Sequence, residues 1–370
     1  MVDASSCSSS SLSERQPIGQ LVSKGDLDII CKSFPTSLHS FGYGSGVFHQ
    51  QRINEGEEGQ SQTDAALPML DLIFVVENAE RWHDANMRLC ASHYSLMPKL
   101  LGPGFVRTLQ KMGDGKVYFN PLVSIDVPVN TIIGSEISKQ RTREVKYGVI
   151  EKEDLLDDLL NWRYLYIAGR LHKPTVLVDY DAQVTEAQNK NLRAALAASL
   201  LINGNAAATN KDNSDQSLIS IFETLANLSY SGDPRMSVGG EDPNKVTKLV
   251  QSPGQLKRWK NLYKDSFQEL YEQGIVSIDW DVDCIHFSWD KTLSAYRELS
   301  TRLPKPVATL LENNLKRNSS ECYSATLSTI LASTVASAAR HQTIKGLITA
   351  GIFKSLRYAG AKFSKGLFKR

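Results

Sequence analysis

The spacing of apolar residues divides the chain into two parts. Up to about Tyr180, short apolar runs such as MLDLIFVV at 69–76 and EVKYGVI at 144–150 predict strands that alternate with helices. Acidic residues open a predicted helix over 151–170, and the strand KPTVLVDY at 173–180 follows it. From Val184 the spacing is helical, and only GIVSIDWDVDCIHFSW at 274–289 predicts two short strands. The pattern therefore predicts an α/β part followed by a mostly helical, winged-helix-like part.

Breaks in the pattern mark the loops. Pro121 and Pro128 interrupt the apolar run at 116–129, so we expect them to break that strand. The polar stretch NEGEEGQSQTDAALP at 54–68 is typical of a surface insertion. The first 17 residues are rich in serine and predict a disordered or targeting segment, although they are too poor in arginine for an ordinary transit peptide.

Composition excludes several classes of protein. The chain has 370 residues and a formal net charge of +2, so charge alone does not indicate nucleic acid or a membrane as partner. Its five cysteines contain no CxxC pair, which argues against a disulfide framework and against a cysteine zinc site. No run of eighteen apolar residues predicts a membrane span, and we expect a soluble or peripheral protein.

Candidate chemistry begins with a glycine-rich stretch, SFGYGSGVFHQ at 40–50. Glycine permits positive φ and close backbone approach, which phosphate loops need and ordinary turns also use. The stretch fits neither GxxxxGK[ST] nor GxGxxG, so by itself it fits a plain turn better than a phosphate loop. The strand that follows changes this reading, because Asp71 lies between apolar neighbours, where a carboxylate is costly unless it is paired or bound to metal.

A Gly-Ser turn followed by a strand carboxylate is the arrangement of nucleotidyltransferases, where the turn holds a triphosphate and the carboxylate holds Mg²⁺. Here the usual second carboxylate is absent, because Ile73 stands two residues after Asp71. Glu77 shares the parity of Asp71 and would reach the site only if the strand end bends inward. A salt-bridged structural role for Asp71 stays open.

The C-terminus has a charge pattern of its own. No Asp or Glu follows Glu321, and residues 340–370 contain eight Lys and Arg. Apolar residues recur at spacings of three or four, and the cations Lys345, Lys354, Arg357, Lys362, Lys365 and Lys369 mostly avoid that face. A basic amphipathic helix without acids is typical of binding to an anionic membrane surface; a basic tail or an RNA-binding segment is the alternative.

Eight short motifs occur in one order between Phe41 and Gly351: FGYGSGVFHQ, MLDLIFVV, WHDANMRLCASHYS, VYFNP, KYGVI, LLNWRYLYIAGRLHKP, LSYSGDPRM and KGLITAG. Together they resemble the mitochondrial translocator assembly and maintenance protein family, a family of mitochondrial phosphatidate cytidylyltransferases, or CDP-diacylglycerol synthases. The resemblance implies an α/β nucleotidyltransferase-like domain, a mostly helical winged-helix-like domain and a C-terminal amphipathic helix. We place their boundaries at 18–182, 183–321 and 322–370, after the segment 1–17.

The resemblance also implies the reaction. CTP and phosphatidate would give CDP-diacylglycerol and pyrophosphate with Mg²⁺, peripherally on the matrix side of the mitochondrial inner membrane, in the pathway to cardiolipin and phosphatidylglycerol. We expect no nucleic-acid partner. The rival hypotheses are a nucleotidyltransferase that modifies RNA or a small metabolite, and a non-enzymatic assembly or adaptor protein at the membrane.

The roles of single residues follow as hypotheses. Asp71 would hold Mg²⁺, and Lys146 would face a phosphate, or else form a salt bridge at a strand edge. His83 and His93 lack further metal ligands, so structural roles are favoured over zinc. Asp233 and Arg235 would reach the nucleotide or metal, or only fix a turn. The predicted nucleotide-binding residues are Tyr43, Gly44, Ser45, Gly46, Tyr118, Asn120, Asp233 and Arg235.

Overall fold

We describe the protein from a computed structural model. The structure describes residues 18–48, 68–127, 141–204, 218–237, 242, 244–278, 287–317 and 322–367, with side chains in the last helix as far as Gly346. The segments 1–17 and 49–67, predicted as a targeting or disordered segment and a surface insertion, lie outside the described residues apart from Pro68 at the end of that insertion.

A five-stranded mixed sheet forms the first part, in the order β3-β4-β2-β1-β5. Only β2 and β4 pair in parallel, and the other neighbours are antiparallel. The strands are β1 His39–Tyr43, β2 Leu70–Val76, β3 Val117–Val127, β4 Arg141–Glu151 and β5 Thr175–Leu177. The α/β character predicted for this part is confirmed.

Pro121 does not end β3, contrary to the prediction. The pairing of β3 with β4 shifts between Asn120 and Val123, and Pro121 lies in that irregularity. A β-bulge leaves a residue without a ladder hydrogen bond, so a residue that has no N–H is tolerated there. Pro128, the other expected break, lies outside the described residues.

The two faces of the sheet have different neighbours. Side chains of β2 alternate, so Leu72 and Phe74 join one core cluster, whereas Ile73 and Val75 join another. The first face packs against α1 Lys24–Cys31, α2 Ala79–Leu89 and α3 Leu96–Lys111. The second face packs against α4 Lys152–Asn161, α5 Ala168–Leu171 and the helical part. Asp71 belongs to this second face, between the sheet and the helices.

Two helices differ from the sequence prediction. α3 was not predicted, and it bends at Gly102, which has a φ of 78°. Proline in the first turn of a helix loses no hydrogen bond, and Pro98 and Pro103 each follow closely after a helix start or this bend. The helix predicted over 151–170 ends at Asn161, because Trp162 is left-handed with a φ of 50°.

The helical part surrounds α6, which is buried along most of its length. The predicted pair of short strands is confirmed as an antiparallel hairpin of β6 and β7. In the core Trp259 and Tyr263 stack with ring centroids 6.0 Å apart. The elements are α6 Ala182–Asn203, α7 Leu218–Asn227, α8 Pro234–Ser237, α9 Lys245–Gln251, α10 Gln255–Glu272, β6 Val276–Ile278, β7 Phe287–Trp289, α11 Leu293–Thr301 and α12 Lys305–Arg317.

The last helix, α13 Tyr323–Leu367, joins the two parts. Its first half contributes Leu327, Leu331 and Val335 to the core that also contains the second face of the sheet. Farther along, Gln342 donates to the carbonyl oxygen of Asp114 just before β3. Within the described part of the chain, no helix is both long and apolar enough to cross a membrane.

Candidate active site

The glycine turn lies directly against the strand carboxylate. In the β1–β2 register Tyr43 is opposite Asp71, so the 3₁₀ turn Gly44–Gly46 begins beside that residue. Gly44 has a φ of 79°, and a Cβ atom there would lie 3.5 Å from Asp71 Oδ2. A Cβ atom on Gly46 would lie 2.3 Å from the carbonyl oxygen of Met69, so only glycine fits. This close approach of Gly46 to the start of β2 holds the turn beside the carboxylate of Asp71.

Lys146 is the neighbour of Asp71 on the next strand. The parallel register pairs the two residues, and Lys146 Nζ lies 3.5 Å from Asp71 Oδ1. Both side chains are about one-fifth exposed (21% and 20%), so the pair is open to solvent. Lys146 Nζ also lies 4.8 Å from the ring centroid of Phe119 on β3. The salt bridge that the sequence left open as an alternative for Lys146 is therefore present, and it lies beside the glycine turn.

A second cation, Arg170 on α5, approaches from the helical side. Its guanidinium lies 4.0 Å from the ring centroid of Tyr166 and 5.9 Å from those of Tyr43 and Phe119. Burial raises the pKa of Tyr166, but the nearby charges of Arg170, Arg235 and Lys146 outweigh it, and the pKa lies below its ordinary value. These three cations therefore act on one region beside Asp71.

Asp158 fixes the loop that carries Tyr166 and leads into α5. Its Oδ2 accepts hydrogen bonds from the backbone N–H groups of Tyr166, Ile167 and Ala168, at 2.9–3.1 Å. Its Oδ1 accepts from the N–H of Tyr164 at 2.9 Å. Because the buried carboxylate satisfies four donors that the helix break leaves without partners, the position of Arg170 depends on it.

Lys173 lies one turn beyond Arg170 and is buried. Its Nζ donates to the carbonyl oxygen of Gly169 at 3.0 Å and to Ser229 Oγ at 2.5 Å. Burial lowers the pKa of Lys173 well below its ordinary value, and the charges of Arg170 and Lys245 lower it further. Among the described residues no carboxylate forms an ion pair with Arg170 or Lys173. Arg170 therefore brings to the site a positive charge that no described carboxylate pairs with.

Arg235, in α8, lies near the site. Its guanidinium binds the carboxylate of Asp233 in the loop before α8. Arg235 Nε donates to Asp233 Oδ1 at 3.0 Å, and its Nη2 donates to Oδ2 at 2.6 Å. Asp233 is almost fully buried in this pair. Both oxygens of Asp233 serve the guanidinium, so the turn-fixing alternative describes it better than a metal ligand does.

Tyr118 and Asn120 are not brought to the site. Both are buried on the first face of the sheet, where Asn120 donates to the hydroxyl of Tyr147 at 2.7 Å and Tyr118 packs with Tyr94. Side chains alternate along a strand, so it is Phe119 between them that lies on the same face as Asp71, against Lys146. The prediction that these two residues line the nucleotide pocket is corrected accordingly.

His83 and His93 belong to the same buried network. His83 hydrogen-bonds Tyr94 and Gln110, and burial lowers its pKa to about 3. His93 Nδ1 lies 3.2 Å from the hydroxyl of Tyr147. Both histidines are structural, as the sequence favoured.

The predicted membrane-binding cations lie on α13, and one of them differs from expectation. Lys345 is buried, with Nζ 3.3 Å from the carbonyl oxygen of Gln110, and burial lowers its pKa to about 8. It therefore packs against α3 instead of facing outward. The side chains of Lys354, Arg357, Lys362 and Lys365, and the whole of Lys369, lie outside the described residues.

Sequence reasoning missed Arg170, Phe119, Tyr166 and Lys173. The sequence contained one indication that Arg170 is available to a ligand. No acidic residue stands three or four positions away, where a helical partner would lie; those positions hold Tyr166, Ile167, Lys173 and Pro174. Ile73, at the position of the usual second carboxylate, is fully buried in the core. Glu77 is exposed after the last residue of β2.

Comparison with known proteins gives a consistent family. The family model described as "Phosphatidate cytidylyltransferase, mitochondrial" matches residues 27–365. Relatives with that description include proteins from Xenopus laevis, 32% identical over 91% of this chain and 93% of the relative, and Schizosaccharomyces pombe, 30% identical over 89% and 80%. The relative from Saccharomyces cerevisiae is 30% identical over 92% of this chain and 70% of its own. The chain therefore belongs to the family of mitochondrial phosphatidate cytidylyltransferases, which are nucleotidyltransferase enzymes.

Proposed function

We propose that this chain is a Mg²⁺-dependent CTP:phosphatidate cytidylyltransferase that makes CDP-diacylglycerol and pyrophosphate. One observation carries the proposal: Asp71 lies against the Gly44–Gly46 turn, with Lys146 and Arg170 around the ring of Phe119. A carboxylate, a backbone turn and nearby cations are what a nucleoside triphosphate needs. The names of the relatives supply the substrates, CTP and phosphatidate.

The residues divide the work of the reaction. A phosphate oxygen of phosphatidate attacks the α-phosphorus of CTP; the bond from that phosphorus to the bridging oxygen breaks, and pyrophosphate leaves. Backbone N–H groups of the turn and the hydroxyl of exposed Ser45 would bind the triphosphate. Lys146 and Arg170 would offset its charge, while Tyr43 would pack beneath it. Positioning and electrostatics account for the catalysis.

The metal fits this site only together with its nucleotide. No cluster of three or more His, Cys, Asp or Glu that could hold a metal ion occurs among the described residues. Mg²⁺ is commonly bound by one or two carboxylates together with substrate phosphates and water. Asp71 would hold the ion, which supplies charge neutralisation at the triphosphate. Lys146 would then exchange its contact with Asp71 for a phosphate.

The same proposal covers organisation and location. We assign the mixed sheet to a nucleotidyltransferase-like domain at 18–182 and the helices with the β6–β7 hairpin to a winged-helix-like domain at 183–321. Residues 322–370 would contain the membrane-binding segment. The family description is mitochondrial, and we place the enzyme peripherally on the matrix side of the inner membrane, in the pathway to cardiolipin and phosphatidylglycerol.

An assay with CTP labelled at the α-phosphate and vesicles containing phosphatidate tests the proposal. We expect labelled CDP-diacylglycerol from the wild type, and at least about a hundredfold less from Asp71→Asn. Asp126→Asn is the matched control, because Asp126 is an exposed strand aspartate on β3. This control should stay within about twofold of wild type.

Two results would overturn the proposal. Transfer of CMP to RNA or to a small metabolite, with none to phosphatidate, would favour the rival enzyme. Full complementing function in cells by a folded Asp71→Asn variant would favour the non-enzymatic adaptor.

A further inference from the structure

The first half of α3 carries an exposed apolar surface. Leu96, Met97, Leu100 and Leu101 are each more than half exposed, with Leu100 at 74%. Residues 96 and 100, and 97 and 101, are four apart, so the four side chains share one side of the helix. Leu89 at the end of α2 is 64% exposed. We call the four exposed residues of α3 the α3 apolar patch.

The bend at Gly102 explains why the patch is uncovered. Beyond the bend, Val106 and Leu109 are buried against Tyr118 on the sheet. Before it, Pro98 is buried while the leucines on either side are exposed. The bend thus separates a packed half-helix from an exposed one. A contiguous group of exposed apolar side chains marks an interaction site.

The charges near the patch indicate what kind of surface it binds. Residues 85–113 contain no Asp or Glu, whereas the average of the chain would place about three there. The same stretch contains four cations. Three of them, Arg88, Arg107 and Lys111, are paired with carboxylates from outside the stretch, whereas no described carboxylate forms an ion pair with Lys99, which lies within the patch and is exposed. An anionic bilayer attracts cations and repels carboxylates, and apolar side chains enter its interface. Lys99 therefore gives the patch a positive charge that no described carboxylate offsets, as binding to an anionic headgroup requires.

The last helix packs against the other end of α3. The carbonyl oxygen of Gln110 accepts from Lys345 on α13, and Gly113 lies against the ring of His341. Met112 and Ile344, at this contact, are both about half exposed (50% and 54%). The second half of α13 therefore departs from the same helix that carries the patch.

We propose that the α3 apolar patch docks on an anionic phospholipid bilayer, with its leucines in the interface and Lys99 at the headgroups. The inference rests on the proposed function in one respect, because a bilayer-embedded substrate is what brings the enzyme to that surface. It adds a lipid contact on the sheet domain, separate from the basic C-terminal segment.

Vesicle sedimentation of the full chain tests the proposal. The variant Leu100→Glu/Leu101→Glu should bind equimolar phosphatidylcholine–phosphatidylglycerol vesicles at least about tenfold more weakly than wild type. Leu293→Glu/Leu310→Glu is the matched control, because both leucines are exposed on α11 and α12. This control should bind within about twofold of wild type. Vesicles of phosphatidylcholine alone should bind both proteins weakly.

Turnover separates this inference from the proposed function. The patch variant should lose activity on phosphatidate in vesicles and keep it on short-chain phosphatidate dispersed in solution. If the wild type turned over neither form of phosphatidate, the proposed function would be wrong. Vesicle binding would still test the docking of the α3 apolar patch separately. Unchanged vesicle binding by the patch variant overturns the inference. A wild-type dimer that becomes a monomer in the variant, with vesicle binding unaltered, would make the patch an interface between copies.

Discussion

Adding one carbon atom at Gly46 should move the glycine turn away from Asp71. The new Cβ atom of Gly46→Ala would lie 2.3 Å from the carbonyl oxygen of Met69 and 2.7 Å from the Cα atom of Leu70. Ordinary contacts begin at 3.4 Å, so backbone atoms must separate by about 1 Å. Overpacking of this kind costs about 1–3 kcal/mol of folding free energy. A 1 Å misplacement at a reacting centre can cost about a hundredfold in rate.

Two measurements on purified Gly46→Ala check this reasoning. Thermal unfolding should show the loss of stability, and kcat/KM for CTP, measured well below the unfolding transition, should fall by about ten- to a hundredfold. Gly25→Ala on α1 is the control, because its Cβ atom would approach nothing closer than 3.8 Å. Gly25→Ala should be neutral or stabilising by about 0.5–1 kcal/mol. Unchanged unfolding and unchanged kcat/KM in Gly46→Ala would refute the close approach of turn and strand. Lost stability with unchanged kcat/KM would refute its link to the reaction.

Two further substitutions test the supports of the site. Asp158→Asn should destabilise the protein by about 2–4 kcal/mol, because an amide oxygen cannot replace two carboxylate oxygens that accept four N–H groups; unchanged unfolding would contradict it. The pKa of Lys345 is lowered from 10.5 to about 8, which corresponds to roughly 3 kcal/mol. The unfolded chain binds more protons between these values, so the contribution of Lys345 to stability rises from about pH 8 to 10.5. Lys345→Met should remove that rise and, after losing one hydrogen bond, be about 2 kcal/mol more stable at pH 7; parallel pH profiles of unfolding would contradict it.

The sequence predicts the strands of this protein better than the faces they present. Asp71 was singled out because a lone carboxylate in an apolar strand is visible in the sequence, and the structure places it beside the turn. Tyr118 and Asn120 were assigned to the site although Phe119 faces it. The alternation of side chains defines two faces of the sheet and does not say which of them carries the site. Helix α3, which packs against the face of Tyr118, went unpredicted because its prolines and glycines resemble a loop.

Arg170 was missed for a related reason. The helical spacing from 151 to 170 is continuous, so it concealed the break after Asn161. The break is stabilised by Asp158, a residue whose acidic neighbours make it look like part of an exposed helix face. Contacts between a side chain and backbone groups six to ten residues away leave no periodic signal. The position of α5 over the sheet depends on such contacts.

The length of α13 has a mechanical consequence. Forty-five residues of α-helix measure about 68 Å, more than the diameter of a small domain. Its first half is fixed in the core by Leu327, Leu331 and Val335, and the remainder continues the same helix without an intervening loop. A surface that bound this remainder would set the tilt of the whole enzyme. The orientation of the Asp71 site toward that surface would then be determined by a helix that contributes none of the residues described at the site.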